Sequence, residues 1–179
     1  MPIRTTCRHR RISSTGVAAG CLGAAMVIAT FSPATPVLGD DAPGLPRFAS
    51  IQASEANMRT GPGRQYPVEY VYRRPELPVQ IIAEFDIWRR IRDVDGDIGW
   101  VHQAMLSGRR TVMVLGPDIA MMRGEPTLEA GVVARMEPGV IAGFDHCVTS
   151  GPDKWCLVEA EDFAGWVPAT TIWGISSDD

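Results

Sequence analysis

His146 and Cys147 stand side by side, and a thiol beside an imidazole is the pairing from which a cysteine nucleophile is built. Neighbours on a strand point to opposite faces, so these two cannot touch, and no spacing brings His102 to the thiol. Zinc needs three or four Cys or His ligands. Here Cys147 and Cys156 lie nine apart, and His102 and His146 are the only histidines beyond residue 39. Asp93, Asp95 and Asp97 alternate around Gly96 as in a calcium loop, but Ile98-Gly99-Trp100-Val101 follows where a bidentate glutamate should close it. They read as turn acids. Gly61-Pro62-Gly63 has neither a following lysine nor a helix with which to cradle phosphate. The residues therefore offer no catalytic, metal or cofactor chemistry.

What remains is a hairpin. Trp88 to His102 reads as two strands joined at Asp95-Gly96, where glycine supplies the positive φ of a tight turn. If Ile91 points into a core, alternation turns Arg89 inward and sets Trp88, Arg90 and Arg92 on the outer face. Two readings of that face stay open: a solvated strand whose one aromatic covers an edge, or a recognition face of a rigid aromatic among planar guanidinium groups.

The first 39 residues are read apart from the fold. Arg4, Arg8, Arg10 and Arg11 head an apolar run, Val17–Phe31, that leads to Val37-Leu38-Gly39. This is the pattern of a secretory signal peptide, with cleavage expected after Gly39 and Ala34 as the alternative. An uncut anchor would be the chain's one link to a membrane, and Pro33 and Pro36 argue against it. Ala18 and the continuing apolar run argue against a lipoprotein cysteine at Cys21, and the residues around Arg10-Arg11 do not complete a twin-arginine signal. Losing four arginines and no acid moves the formal charge from −4 to −8, which leaves no overall attraction for nucleic acid. Cys147 and Cys156 are then the only thiols, and in an oxidising compartment they read as one disulfide.

After a Pro/Gly linker, residues 40–46, brief apolar segments with Gly/Pro punctuation and no helical period indicate an all-β chain. Strands are expected near Asn57–Arg59, Val68–Tyr72, Leu77–Glu84, Trp88–Val94 and Ile98–His102, with a helical turn at Gln103–Ser107. A shift of 64 positions superposes Phe48 on Val112, Ile51 on Leu115, Met58-Arg59 on Met122-Arg123 and Pro62 on Pro126. After gaps, Ile82-Ala83-Glu84-Phe85-Asp86 meets Ile141-Ala142-Gly143-Phe144-Asp145, and Gly99-Trp100-Val101 meets Gly165-Trp166-Val167. The chain thus divides into unit 1, residues 47–107, unit 2, residues 111–174, and a tail, 175–179. Cores of about 60 residues are marginal alone, so the units should pack together. Unit 1 sets arginines 47, 59, 64, 73, 74, 89, 90 and 92, with the junction pair 109 and 110, against eight acids; from Thr111 onward, Arg123, Arg135 and Lys154 face eleven. Either the units pack simply, with the charge serving solubility, or unit 1 holds an acidic partner.

Asn57-Met58-Arg59-Thr60-Gly61-Pro62-Gly63, Tyr66-Pro67-Val68, then Trp88, Gly96, Gly99-Trp100-Val101 and a closing Leu106 resemble the bacterial SH3-like (SH3b) domain. Unit 2 resembles it more distantly: Arg123-Gly124-Glu125-Pro126 replaces the Arg-x-Gly-Pro of the family, and an insertion precedes Trp155. The tandem is similar to exported SH3-domain proteins of Gram-negative bacteria. The resemblance implies two tandem SH3-like small β-barrels and a binding role rather than catalysis. Its ligand would be an envelope protein, a peptide or peptidoglycan, met in the periplasm or outside the cell. The alternative it leaves is an accessory subunit of a separately encoded cell-wall hydrolase or other envelope enzyme. The loop Thr60–Tyr66 matches the RT-like loop of the family, which makes Tyr66, Tyr70, Trp88 and Trp100 groove candidates beside Arg90 and Arg92. Each of these could equally be packing.

The disulfide follows from register. Between the Ile-Ala-x-Phe-Asp segment and the hairpin tryptophan, unit 2 has eight more residues than unit 1, and the excess contains Cys147–Lys154. Pairing about a turn at Ser150–Asp153 sets Thr149 opposite Lys154, Val148 opposite Trp155 and Cys147 opposite Cys156, close enough for a bridge. Cys156 takes the inward parity of Val158, so the bridge should staple the hairpin from its core side.

Overall fold

The computed structural model describes residues 44–179, so the leader and most of the linker lie outside the described residues. β-Branched and aromatic runs cut by Gly, Pro and Asp pair as antiparallel strands. Seven form one sheet: β1 (Arg47–Ile51), β2 (Ala56–Arg59), β3 (Val68–Tyr72), β4 (Pro78–Phe85), β5 (Trp88–Arg92), β6 (Ile98–His102) and β7 (Leu106–Ser107). Its order is β3-β2-β6-β5-β4-β1-β7. The second sheet has β8 (Thr111–Val114), β9 (Ala120–Arg123), β10 (Val132–Met136), β11 (Ile141–Ser150), β12 (Asp153–Ala160), β13 (Phe163–Pro168) and β14 (Ile172–Trp173). It repeats the same order, β10-β9-β13-β12-β11-β8-β14. The chain is all-β, two tandem small barrels, and a 3₁₀ turn precedes the last strand of each, at Gln103–Met105 and Ala169–Thr171. The expected turn at 103–107 is shorter than foreseen, because Leu106 and Ser107 pair with Ile51 and Ser50 instead.

Each barrel closes on its own apolar residues. Ile51, Met58, Val79, Ile81, Ile91 and Val101 fill the first. Val112, Val114, Met122, Val158 and Val167 fill the second together with Cys156. Closure depends on one glycine in each. A Cβ at Gly99 would lie 2.4 Å from Met58 Cγ and 3.0 Å from the Arg59 carbonyl, and one at Gly165 would lie 2.7 Å from the Arg123 carbonyl. The Gly-Trp-Val motif is therefore the point where the strand carrying it crosses close over β2 or β9.

The repeat is present, but its register differs from the sequence match in two places. Ile81 pairs with Ile91 and Phe144 with Val158, so Phe144 is the counterpart of Ile81, 63 positions on. By the same pairing Cys147 is the counterpart of Glu84 and Val148 of Phe85, which makes the Ile-Ala-x-Phe-Asp similarity fortuitous. In β1 and β8, Ala49 pairs with Val79 as Val112 pairs with Ala142, so Val112 corresponds to Ala49 and not to Phe48. Phe48 sits on the outward parity, and what buries it is barrel 2: its ring meets Trp173 edge-on at 5.1 Å. The growth of the second hairpin is accordingly four residues at its tip rather than eight. Two residues separate Phe85 from Trp88, and six separate Val148 from Trp155.

The bridge forms as the register requires. Ser150 pairs with Asp153, Thr149 with Lys154, Val148 with Trp155 and Cys147 with Cys156. The two cysteines are joined, with Cα atoms 4.0 Å apart. Cys156 is fully buried in the core of barrel 2. In barrel 1 the equivalent positions hold Glu84 and Arg89, whose side chains form an ion pair at 3.4 Å. One structural position is held by a salt bridge in the first copy and by a covalent bond in the second.

Both barrels belong to one compact unit, Asp40–Asp179. The junction is pinned on both sides: Ser50 Oγ donates to the Arg109 carbonyl at 2.8 Å, Thr111 Oγ1 donates to the Glu76 carbonyl at 2.6 Å, and Arg109 pairs with the Glu76 carboxylate at 2.7 Å. Arg110 lies over the Phe144 ring at 4.3 Å and the Phe48 ring at 5.9 Å. It grips the Asp179 carboxylate with both terminal nitrogens, at 2.5 and 2.7 Å. Toward barrel 2 charge enters at one point, where the junction residue Arg110 pairs with Asp179; among the described residues no arginine of β1–β7 pairs with an acid of barrel 2, and the rest of the junction is hydrogen bonds and ring packing.

Cys156→Ser should destabilise the protein by about 2–3 kcal/mol, the chain-entropy value for a loop of roughly ten residues, measured by denaturant unfolding of the oxidised parent and the variant. Peptide mapping without reduction should recover Cys147 joined to Cys156. The Arg110 hydrogen bond, more than any other group, holds the Asp179 carboxyl below the ordinary carboxylate range. A carboxylate with a depressed folded pKa contributes stability above its unfolded value and loses it as pH falls through the folded one. Asp179→Asn should therefore be less stable than the parent at neutral pH, and acid titration of both should show the difference begin to shrink near the ordinary carboxylate pKa of about 4 and vanish only at lower pH.

Candidate functional site

The hairpin that presents the outer face of barrel 1 is fixed at its turn by Asp93. Its Oδ1 accepts from the backbone N–H groups of Asp95 (3.1 Å) and Asp97 (2.8 Å), and Tyr72 Oη donates to Oδ2 at 2.9 Å. Gly96, at φ 92°, closes the turn. Burial, reinforced by the Asp93 carboxylate, pushes the Tyr72 phenol far above its ordinary pKa, so it remains a donor throughout the accessible pH range. Of the three acids around the turn, the first caps the turn with its carboxylate. Among the described residues no group of three or more His, Cys, Asp or Glu side chains converges as a metal site would require.

Along β5 the alternation is as expected. Ile91 is buried, Arg90 and Arg92 are exposed, and Arg89 lies half-inward, donating to the Asp86 carbonyl and to Gln103 Oε1 at 2.7 Å each. Trp88 faces outward but is only 7% exposed. It pairs with His102, whose ring stands edge-on to the indole at 5.4 Å. One step along the same face Arg90 pairs with Trp100, and Trp100 in turn lies opposite Arg59. Trp88, Arg90, Arg92 and Trp100 therefore share one face. Tyr70 does not join them. It pairs with the inward Met58 and packs on Tyr72 at 4.8 Å, on the other side of the sheet. Tyr66, exposed, lies over Gly61 in the loop, where no larger residue would leave its ring room.

That loop is held by a residue whose role spacing alone does not reveal. Arg59 Nη1 donates to the carbonyls of Arg64 (3.2 Å) and Tyr66 (2.8 Å), tying the returning half of the loop to β2. Arg123 does the same in barrel 2, donating to Ala130 at 2.6 Å. Between loop and hairpin lies a cleft of about 440 Å³, with Trp88 as its floor and Asn57, Arg59, Arg64 and His102 around it. A hollow of about 420 Å³ in barrel 2, along β10, is lined mainly by aliphatic side chains such as Val133, Met136 and Val140, with Phe163 beside them. Arg135 and Glu161 are the charged residues at its edge.

The model of the bacterial SH3 domain family matches residues 52–108 and again residues 116–174. The chain belongs to the bacterial SH3 domain family. Among curated proteins none matches it significantly. Two solved structures, NlpC2 and NlpC1 from Trichomonas vaginalis, are similar at 9% and 10% identity. Each covers 73% of this chain, with 48% and 46% of its own length, at a TM-score of 0.32. This chain spans about half the length of those structures.

With the SH3 repeat superposed, the cleft residues missed by motif reading become visible. Arg59, Trp88 and Gly99 recur as Arg123, Trp155 and Gly165, whereas Asn57, Arg64 and His102 are replaced by Met121, Leu128 and Pro168. Positions that differ between copies of a preserved SH3 framework were the signal to follow. Cys147, read for its adjacency to His146, spends its sulfur in the bridge and has none to offer as a nucleophile. His146 instead meets Trp166 edge-on at 5.4 Å and Asp145 at 3.3 Å.

Asp93→Ala should cost about 2–3 kcal/mol, because it strands the buried Tyr72 hydroxyl and two turn amides, and chemical denaturation against the parent measures it.

Proposed function

We propose that this protein is a non-catalytic, exported binding or scaffold module of the bacterial envelope, and that barrel 1 carries its ligand site. The ligand would be a peptide, a protein or peptidoglycan. One observation carries this reading: the two copies keep the same framework and differ on the face. Where barrel 1 sets Arg90 and Arg92 outward beside Trp88, barrel 2 has Leu157 and Glu159 beside Trp155. Arginine is suited to such a face because its planar fork binds oxygen acceptors in pairs and its flat surface stacks on aromatics, here beside Trp100. The basic and apolar leader 1–39, with the disulfide, supports a periplasmic or secreted location, since disulfides persist in oxidising compartments.

The arginines make the cleaner test of this face. Trp88 is buried against His102, and its truncation would remove packing as well as the face. Purified protein should co-sediment with peptidoglycan sacculi or retain a periplasmic protein in a pull-down. Arg90→Ala with Arg92→Ala should weaken whichever binding is seen by about 1–3 kcal/mol while melting at the parent temperature. Capture of a cell-wall hydrolase without sacculus binding would identify an accessory subunit. Unchanged binding in a folded double variant would remove this face from the reading.

A further inference from the structure

The cleft beside the arginine face has a chemistry of its own. Its polar wall is made of donors. Among the described residues the Arg64 guanidinium has no hydrogen-bonding or ionic partner, and of the Arg59 nitrogens Nη1 alone is engaged, by the loop carbonyls. His102 Nδ1 accepts the Ala104 backbone N–H at 3.1 Å, so the neutral ring carries its proton on Nε2 and is a donor there. Asn57 adds an amide, and no Asp or Glu lines the cleft. In a protein whose formal charge is negative, this is a local pocket of donors over a rigid indole.

Barrel 2 provides an internal control. It keeps Arg123 on its loop and Trp155 in its hairpin, and it folds with Met121, Leu128 and Pro168 where barrel 1 has Asn57, Arg64 and His102. The barrel therefore does not require these three donors, and they stand together only in barrel 1. Two arginines and an imidazole N–H around one opening match a planar group with two acceptor oxygens. The indole beneath gives an apolar surface to whatever short chain carries that group.

We infer that this cleft binds a peptide carboxylate: a short peptide whose free carboxylate meets Arg64, Arg59 and His102 while its last side chain lies on Trp88. This rests on the reading of barrel 1 as the binding half and names the chemical group it takes.

The test uses the full protein and two probes, N-acetyl-Ala-Ala with a free carboxylate and the same peptide as its C-terminal amide, titrated by calorimetry or by NMR of the Trp88 and His102 signals. The acid should bind at least about tenfold more tightly than the amide, the affinity equivalent of one hydrogen bond to a charged group. Arg64→Gln, a change in an exposed loop side chain, should remove most of that preference and leave the melting temperature unchanged. His102→Gln should reduce acid binding in the same direction. Equal binding of acid and amide, full acid preference in Arg64→Gln, or no binding of the acid would each overturn the inference. Sacculus binding tests the broader reading separately. If sacculi bind through Arg90 and Arg92 while the acid does not bind, only the carboxylate assignment fails. Acid binding without sacculus or partner binding would leave the cleft standing and end the envelope reading.

Discussion

Each barrel is built outward from one hairpin, and each hairpin has to stay paired beyond a bulge. The register shifts between Ile81 and Ala83 in barrel 1 and between Phe144 and Cys147 in barrel 2, at equivalent places. A bulge leaves a residue unpaired and bends its strand, so the ladder just past it needs holding. The pair that holds it is Glu84 with Arg89 in the first copy and Cys147 with Cys156 in the second. The hairpin stands at the centre of each sheet: the crossing glycine strand pairs on one side, and the first strand of the barrel, β1 or β8, pairs on the other.

The two solutions differ physically. The ion pair is one contact in a small network, since Arg47 also reaches Glu84 at 2.6 Å and Arg89 reaches the 3₁₀ turn through Gln103. The bridge has no such reach, but it supports a hairpin four residues longer, and it puts sulfur into a core where a guanidinium would need partners. The longer tip lies near residues 126–129, where it shares a hollow of about 340 Å³ with Trp155. That is the flank on which barrel 1 leaves its cleft.

Local chemistry was legible in the sequence, and tertiary burial was not. Asp95-Gly96 named the turn, and the centring of Ser150–Asp153 gave the pairing that joins Cys147 to Cys156, because both depend on residues close in the chain. Phe48 misled because an apolar residue looks the same whether it fills its own core or covers a neighbouring barrel, and the Ile-Ala-x-Phe-Asp segment misled because chance similarity hid where the second hairpin grows. Phe48 does the second, against Trp173. Arg59 and Arg110 were equally opaque. One ties a loop through backbone carbonyls and the other stacks between rings of two barrels, and neither role leaves a spacing to find. The candidate face was half visible. Parity placed Trp88, Arg90 and Arg92 together, but it could not reveal that Tyr70 turns away or that Trp88 is a floor and not a projecting anchor.

The junction residues carry a mechanical implication. Ser50 and Glu76 hold residues 109 and 111 directly, and Arg110 between them reaches Phe48, Phe144 and the tail. Residues 109–111 are held from both sides where the barrels meet, so a load applied to one barrel reaches the other through these contacts and not through a free linker. A tandem joined in this way behaves as a stiff strut and not as beads on a string. The cleft of barrel 1 and the acid-rich barrel 2 are therefore carried together as one body.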